Sequence, residues 1–322
     1  MSERRWNPLL QEWVITATAR QDRTYLPSAA QCPLCPTLDP AAPTEIPRAD
    51  FDIAVFENRF PSLRREPPAP EVELSELYLV APALGVCEVV VYTPRHDVTL
   101  AELPVEQIYK LILVWTDRYE ELNALAFIRY VFIFENKGAV VGTTIHHPHG
   151  QIYAFPYVPP VPERELQSGR AHRARTGRCL LCDIEAEERR AARRVVGANA
   201  AFTAYVPFFA RFPYEVHISA RAHRESLAAF ADPERWALAQ LLKETLQRYD
   251  ALFDMSLPYM MVLHQAPAGG DPDAHFHIEF YPLNRSKEKL KYRAGAETGA
   301  GTFVTDALPE QWAEQLRRAV PA

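Results

Sequence analysis

No apolar run in this chain approaches the roughly 18 residues that suggest a membrane-spanning helix. The opening residues, Met1-Ser2-Glu3-Arg4-Arg5-Trp6, are not followed by the apolar stretch of a secretion signal. A surplus of positive charge is missing too. Lys and Arg number 35 against 41 Asp and Glu, a formal net charge of −6, which argues against a general nucleic-acid binder. These absences point to a soluble cytoplasmic protein with neither membrane nor nucleic acid as partner. Cysteine is scarce: there are five, four of them in two Cys-x-x-Cys pairs. In a cytosolic chain that pattern suggests metal or redox work rather than disulfides. Neither pair sits in a strand–helix–strand pattern, which disfavours a thioredoxin-like role. Cys87, alone in the apolar run 85–92, reads as a buried strand cysteine.

What is present is a core and a repeat. At 322 residues, 48% apolar, the chain can build one large domain or two ordinary ones. It states one plan twice. The first half runs Cys32-x-x-Cys35, His96, His147-Pro148-His149-Gly150-Gln151, and the second Cys179-x-x-Cys182, His223, His275-Phe276-His277-Ile278-Glu279. The spacing from the single His to the His-x-His is 51 residues in one half (96 to 147) and 52 in the other (223 to 275). Residues 88–92 and 215–219 resemble strands, each followed by a basic loop carrying the single His. Apolar helices are expected over about 104–125 and 233–253, each with a proline at its start. Further strands are expected over 128–135 and 259–264. The Arg-rich stretch 163–175 joins the halves and shows little apolar periodicity. The Pro-rich segment 61–70 reads as a surface loop. The pattern is α+β, antiparallel sheets with packed helices, divided as 1–165 and 166–322.

Tetrahedral zinc takes four N or S ligands, often begun by a Cys-x-x-Cys knuckle. Cys32, Cys35, His96 and His147 supply four, and Cys179, Cys182, His223 and His275 supply four at equivalent places. Glu165, His264, His277 and Glu279 form a further candidate set, with donors suited to iron or zinc.

If residues 147–153 form a strand, His147, His149 and Gln151 share one face. His146 then faces the other way, and His172 and His217 read as surface and core residues. A neutral imidazole attacks phosphorus when one nitrogen is free and the other is held by a hydrogen bond. His149 is placed for that role. Backbone N–H groups from Gly138 through Gly142 to Thr144 could hold phosphate oxygens, with Lys137 adding charge and Thr144 a hydroxyl. No Gly-Lys-Ser/Thr follows, so this is not a P-loop. Gln151 can donate its amide hydrogens to a phosphate oxygen.

The combination resembles the histidine-triad superfamily, and within it the galactose-1-phosphate uridylyltransferase family. The resemblance runs over nearly the whole chain. It is carried by Arg5-Trp6-Asn7-Pro8-Leu9, Phe56-Glu57-Asn58, Pro94-Arg95-His96, Phe134-Glu135-Asn136-Lys137-Gly138, His147-Pro148-His149-Gly150-Gln151 and His264-x-Ala266-Pro267. It implies two tandem histidine-triad-like domains, UDP-glucose, UDP-galactose and hexose 1-phosphates as substrates, a uridylyl-histidine on His149, and a homodimer. It also implies phosphate contacts from Gln151, Asn136 and Thr144, nucleoside contact from Asn58, and substrate contact from Arg20 and Arg23. Lys291 and Glu297 match a C-terminal segment that reaches the hexose in the family. Three departures stand out. Arg59 replaces an acidic residue common after the asparagine, Glu279 replaces a third metal histidine, and the 295–303 region lacks an expected glutamine. Two other readings share His149 and the metal frame: a nucleoside-diphosphate-sugar phosphorylase using orthophosphate, and a zinc-stabilised nucleotide-binding module without turnover.

Overall fold

The computed structural model describes residues 2–72 and 75–320. In chain order its strands are β1 (Ser2–Asn7), β2 (Glu12–Ala17), β3 (Ala54–Glu57), β4 (Val80–Pro82), β5 (Val86–Val91), β6 (Tyr130–Lys137) and β7 (His149–Phe155), then β8 (Val195–Ala198), β9 (Phe202–Tyr205), β10 (Val216–Ala220), β11 (Tyr259–His264) and β12 (His277–Pro282). The helices are α1 (Val105–Asn123), α2 (Pro160–Thr176), α3 (Leu180–Ala191), α4 (Asp232–Leu252), α5 (Gly295–Gly299) and α6 (Pro309–Arg318).

Two tandem α+β units build the molecule, and their strands merge into one antiparallel sheet of nine, ordered β3-β5-β7-β6-β11-β12-β10-β9-β8. The order is a palindrome of the repeat: β5, β7 and β6 of the first half mirror β10, β12 and β11 of the second. The seam is the β6–β11 pair, in register from Tyr259↔Lys137 to Leu263↔Ile133. The expected boundary after residue 165 falls inside α2. A separate three-stranded sheet, β2-β1-β4, sits apart from the nine.

β5 shows why its run is apolar without alternation: both faces are covered. Val86 and Val90 join the main core under the helices, while Val89 and Val91 pack with Cys32, Leu34 and Ile46 on the other side. α1 buries Ile108, Leu111, Ile112, Trp115, Tyr119 and Leu122, the three-to-four spacing of one helical face. α4 packs beside it, Trp236 meeting Tyr109 at 5.4 Å between ring centroids. Pro104 stands just before α1, and α4 begins after Ala231, whose N–H donates to Glu234 at 2.8 Å.

The stretch 163–175 lies within a helix, α2. Its outer face is polar, so the apolar pattern that betrays a helix is absent. Ion pairs from Arg170 to Asp271 and from Arg173 to Asp273, both 2.6 Å, tie it to the second half, and Leu166 is its buried apolar anchor. It turns at Gly177, whose φ of +73° favours glycine.

Candidate active site and metal centres

The Cys32–Cys35 loop covers the start of β7 from the side opposite the helices. His147 precedes that strand and is fully buried. Its Nδ1 lies 3.9 Å from Cys32 Sγ and 3.5 Å from Cys35 Sγ, and His96 Nδ1 lies 3.4 Å from Cys35 Sγ. Bonds of about 2.3 Å to sulfur and about 2.0 Å to nitrogen put tetrahedral S···N edges near ~3.5 Å, so the set has the dimensions of a four-ligand zinc site. His147 Nε2–H donates to the Thr93 carbonyl at 2.8 Å, which leaves Nδ1 as the lone-pair nitrogen. Burial lowers its pKa to about 4, so it stays neutral and ready to ligate.

The second half repeats this. His275 Nδ1 lies 3.6 Å from Cys179 Sγ and 3.4 Å from Cys182 Sγ, and His223 Nδ1 lies 3.8 Å from Cys182 Sγ. His275 Nε2–H donates to the Ala220 carbonyl at 2.8 Å. In both sets the donors lie within 4.8 Å of one another, so both could hold a metal.

His149 opens β7. Its Nδ1–H donates to the His147 carbonyl at 2.7 Å, which makes Nε2 the unprotonated nitrogen. Burial holds its pKa below the ordinary imidazole value. Two strand positions on, Gln151 shares its face, and both line a cavity with Arg23, Phe56, Asn58 and Thr144. A second cavity of about 280 Å³ reaches His149 from the side of Asn136, Lys137 and Gly138. The loop between needs two glycines with positive φ, Gly138 at +98° and Gly142 at +85°. Lys137 is spoken for: its Nζ pairs with Asp250 at 3.0 Å. His146 is exposed, on the rim of that second cavity.

Gly150 explains itself by contact. A Cβ there would stand 2.2 Å from Tyr92 Oη. Tyr92 in turn donates to Glu135 at 3.4 Å, and Tyr259 of the second half donates to the same carboxyl at 3.3 Å. Burial lifts the Glu135 pKa to about 7.

Comparison with known proteins agrees over the full length. Residues 1–159 match the family described as galactose-1-phosphate uridyl transferase, N-terminal domain, and residues 165–322 match the C-terminal domain of the same. A protein of Thermotoga maritima named galactose-1-phosphate uridylyltransferase is 42% identical, with 98% of each chain covered. The Haemophilus influenzae protein of that name is 33% identical over 98% of this chain and 93% of its own. A solved uridylyltransferase superposes with a TM-score of 0.87 at 37% identity, covering 98% of both chains. An ADP-glucose phosphorylase from Arabidopsis thaliana, with bound ADP-glucose, gives 0.74 at 25% identity, again covering 98% of both.

The chain belongs to the galactose-1-phosphate uridylyltransferase family.

Against that family's pattern, the structure gives two of the departures, Arg59 and Glu279, charged neighbours. Arg59 meets Glu45, 3.1 Å away, and both line the cavity with His149 and Gln151. Glu45 stands on the loop that follows Cys35. Glu165, His264 and His277 come together, with ligand atoms within 4.8 Å, and Glu165 Oε2 lies 2.6 Å from His264 Nδ1. Glu279 stands beside them, 3.4 Å from His277 Nε2 and 3.8 Å from His264 Nε2. Its carboxylate also faces His217 Nε2 at 3.3 Å, Arg211 Nη2 at 3.6 Å and the Tyr281 hydroxyl. His217 is buried, as expected of a core residue, yet it belongs to this cluster. The cross-strand register His217↔Glu279 is what puts it there. His172 is half-buried against Asp183, 2.7 Å away.

Arg20 donates to Tyr153, on β7, at 2.8 Å and to Ser62 at 2.9 Å, and Arg23 donates to the Arg20 carbonyl at 3.0 Å. Lys291 and Glu297 meet each other as a buried ion pair at 2.8 Å. Glu297 also accepts from the Ala294 and Val304 N–H groups, which ties the C-terminal segment to itself. Among the described residues, no helix is long and apolar enough to cross a membrane.

Proposed function

We propose that this chain is a UDP-glucose–hexose-1-phosphate uridylyltransferase working by double displacement through His149. One observation carries the reading: in a chain of this family, the His149 ring is tied at Nδ1 by the His147 carbonyl and shares a cavity with Gln151. The Nε2 lone pair attacks the α-phosphorus of UDP-glucose. An N–P bond forms, the bond to the bridging oxygen breaks, and glucose 1-phosphate leaves with those electrons. A phosphate oxygen of galactose 1-phosphate then attacks the same phosphorus, the N–P bond breaks, and UDP-galactose leaves. Catalysis of this kind is positioning and charge stabilisation. The Gln151 amide donates to the phosphoryl oxygens, aided by Asn136, Thr144 and backbone N–H groups of the loop through Gly142. Asn58 faces the nucleoside, and Arg20 and Arg23 the phosphates. Lys291 and Glu297 act through the C-terminal segment they brace.

The two Cys-x-x-Cys sets fit zinc by donor chemistry and spacing, and close it off from substrate. The set around Glu165, His264, His277 and Glu279 fits iron or zinc. Metal in the first set would hold the His147 backbone, and the His147 carbonyl orients the nucleophile. The family resemblance also supports a homodimer, a cytoplasmic setting, and a division of the chain into 1–165 and 166–322.

The test is labelling with UDP-glucose radiolabelled in its α-phosphate. Protein-bound label that galactose 1-phosphate discharges as UDP-galactose is expected, and His149→Gly should take up none. Discharge by orthophosphate alone would turn the reading to a phosphorylase. No labelling of the wild-type chain would turn it to a binding module.

A further inference from the structure

The two halves differ in what lies behind their equivalent strands, β7 and β12. Behind β7 the Tyr92 hydroxyl occupies the notch that Gly150 leaves open, between His149 and Gln151. Tyr92 donates to one oxygen of the Glu135 carboxyl at 3.4 Å, and Tyr259 donates to the other at 3.3 Å. All three side chains are buried. Tyr92 and Glu135 belong to the first half. Tyr259 comes from the second, where its ring meets Phe280 edge-on at 5.6 Å between centroids.

Strand pairing gives the counterparts. Tyr92 N–H donates to the Pro148 carbonyl at 3.1 Å and Ala220 N–H to the Phe276 carbonyl at 3.4 Å, so Ala220 takes the place of Tyr92. Leu263 pairs with Ile278, the places held by Glu135 and Gly150 one step past Phe134↔Gln151. Val131, paired with Ala154, matches Tyr259, paired with Pro282. The second half therefore fills the same space with Ala220, Leu263, Ile278 and Val131, all part of the main core. An apolar set of matching shape is about as stable as a buried hydrogen-bonded one. The sheet itself thus has no need of a carboxyl and two phenols here. What sets the first half apart is that its strand carries His149-Gly150-Gln151.

We propose that Glu135 is a positioning residue for uridylyl transfer, clamping the Tyr92 and Tyr259 hydroxyls so that the second half fixes the strand between His149 and Gln151. The inference rests on the reading of His149 as the nucleophile. Tyr92 bears on Gly150, so its place sets the backbone of the residues on either side. None of Tyr92, Glu135 and Tyr259 lines the cavity that His149 shares with Gln151. Glu135 does border the second cavity, so the test must separate contact with substrate from action through the strand.

The experiment is single-turnover labelling of the full chain over a range of UDP-glucose concentrations, with urea unfolding beside it. Tyr92→Phe, Glu135→Leu and Tyr259→Phe combined leave no polar group unpaired, so the urea midpoint should be no lower than wild type. Labelling at saturation should fall about 10²-fold, as a displacement on the order of 1 Å causes, with half-saturating UDP-glucose unchanged. Tyr259→Phe alone deletes a donor outside both cavities and should slow labelling about fivefold, the worth of one hydrogen bond. It carries the test if the triple variant fails to fold. Glu135→Gln keeps hydrogen-bonding atoms for both phenols and should stay within about fivefold of wild type. Tyr259→Phe at the wild-type rate would overturn the clamp, as would Glu135→Gln as slow as the triple variant. A raised half-saturating concentration with the saturated rate intact would overturn it too, by marking a substrate contact. No label on the wild-type chain would remove the His149 reading and this one together. A labelled wild type beside variants of equal rate would remove this one alone.

Discussion

Gly150→Ala tests how tightly the nucleophile is held. The added methyl would lie 2.2 Å from Tyr92 Oη, far inside normal contact, and 3.1 Å from the Phe134 carbonyl oxygen, tight by a few tenths of an ångström. Tyr92 has little room to retreat. It is fully buried, its ring meets Trp115 edge-on at 6.3 Å, and its hydroxyl is bonded to Glu135. The Phe134 carbonyl belongs to the neighbouring strand of the sheet. The strand carrying His149 and Gln151 must therefore shift. Overpacking of this kind costs about 1–3 kcal/mol of stability. A displacement on the order of 1 Å at the reacting atom costs about 10²-fold in rate. The assay is single-turnover labelling from UDP-glucose, with urea unfolding run beside it. Tyr92→Phe removes the colliding oxygen, so the double variant should recover most of the lost labelling rate, a coupling between neighbours of at least about 1 kcal/mol. Labelling of Gly150→Ala at wild-type speed with unchanged stability would refute the contact argument. So would a double variant as slow as the single one.

Three further outcomes follow from the same geometry. Cys32→Ser should lose zinc from the first set and lower stability more than it alters chemistry, because a closed structural site contributes folding free energy; unchanged zinc stoichiometry would count against that set. Gln151→Ala should slow both labelling by UDP-glucose and discharge by galactose 1-phosphate by about 10²–10³ while nucleotide binding persists; wild-type rates in both steps would remove it from the chemistry. Glu135 carries a pH signature: burial raises its carboxyl from 4.5 to about 7, so the fold keeps a proton that the open chain releases between those values. Stability should therefore fall as pH rises through that window, by roughly 3 kcal/mol at most. Glu135→Gln should flatten the change in urea midpoint between about pH 5 and pH 8, and an undiminished slope would contradict the assignment.

Local chemistry was legible in the residues alone. Donor types and the matched 51- and 52-residue spacings marked both Cys/His sets, because a metal site is assembled from short knuckles recurring at fixed places in a repeat. The two long helices showed in their apolar spacing, and the alternation of His147, His149 and Gln151 pointed to one strand, although the strand itself begins at His149 and leaves His147 beside the cysteines. What crosses the repeat was not legible. Only tertiary structure joins β6 to β11 and so makes two units share one sheet, since strand pairing between distant segments leaves no local period. α2 escaped notice because its buried contacts are few, Pro162, Leu166 and Gly169, and most of its surface is polar, so no apolar stripe marks it. The neighbours of the departures were likewise decided in space. Glu45 reaches Arg59, and His217 and Arg211 reach Glu279. A sequence names the groups that can carry charge, but the free energy of burying them depends on partners that folding alone brings within a few ångströms.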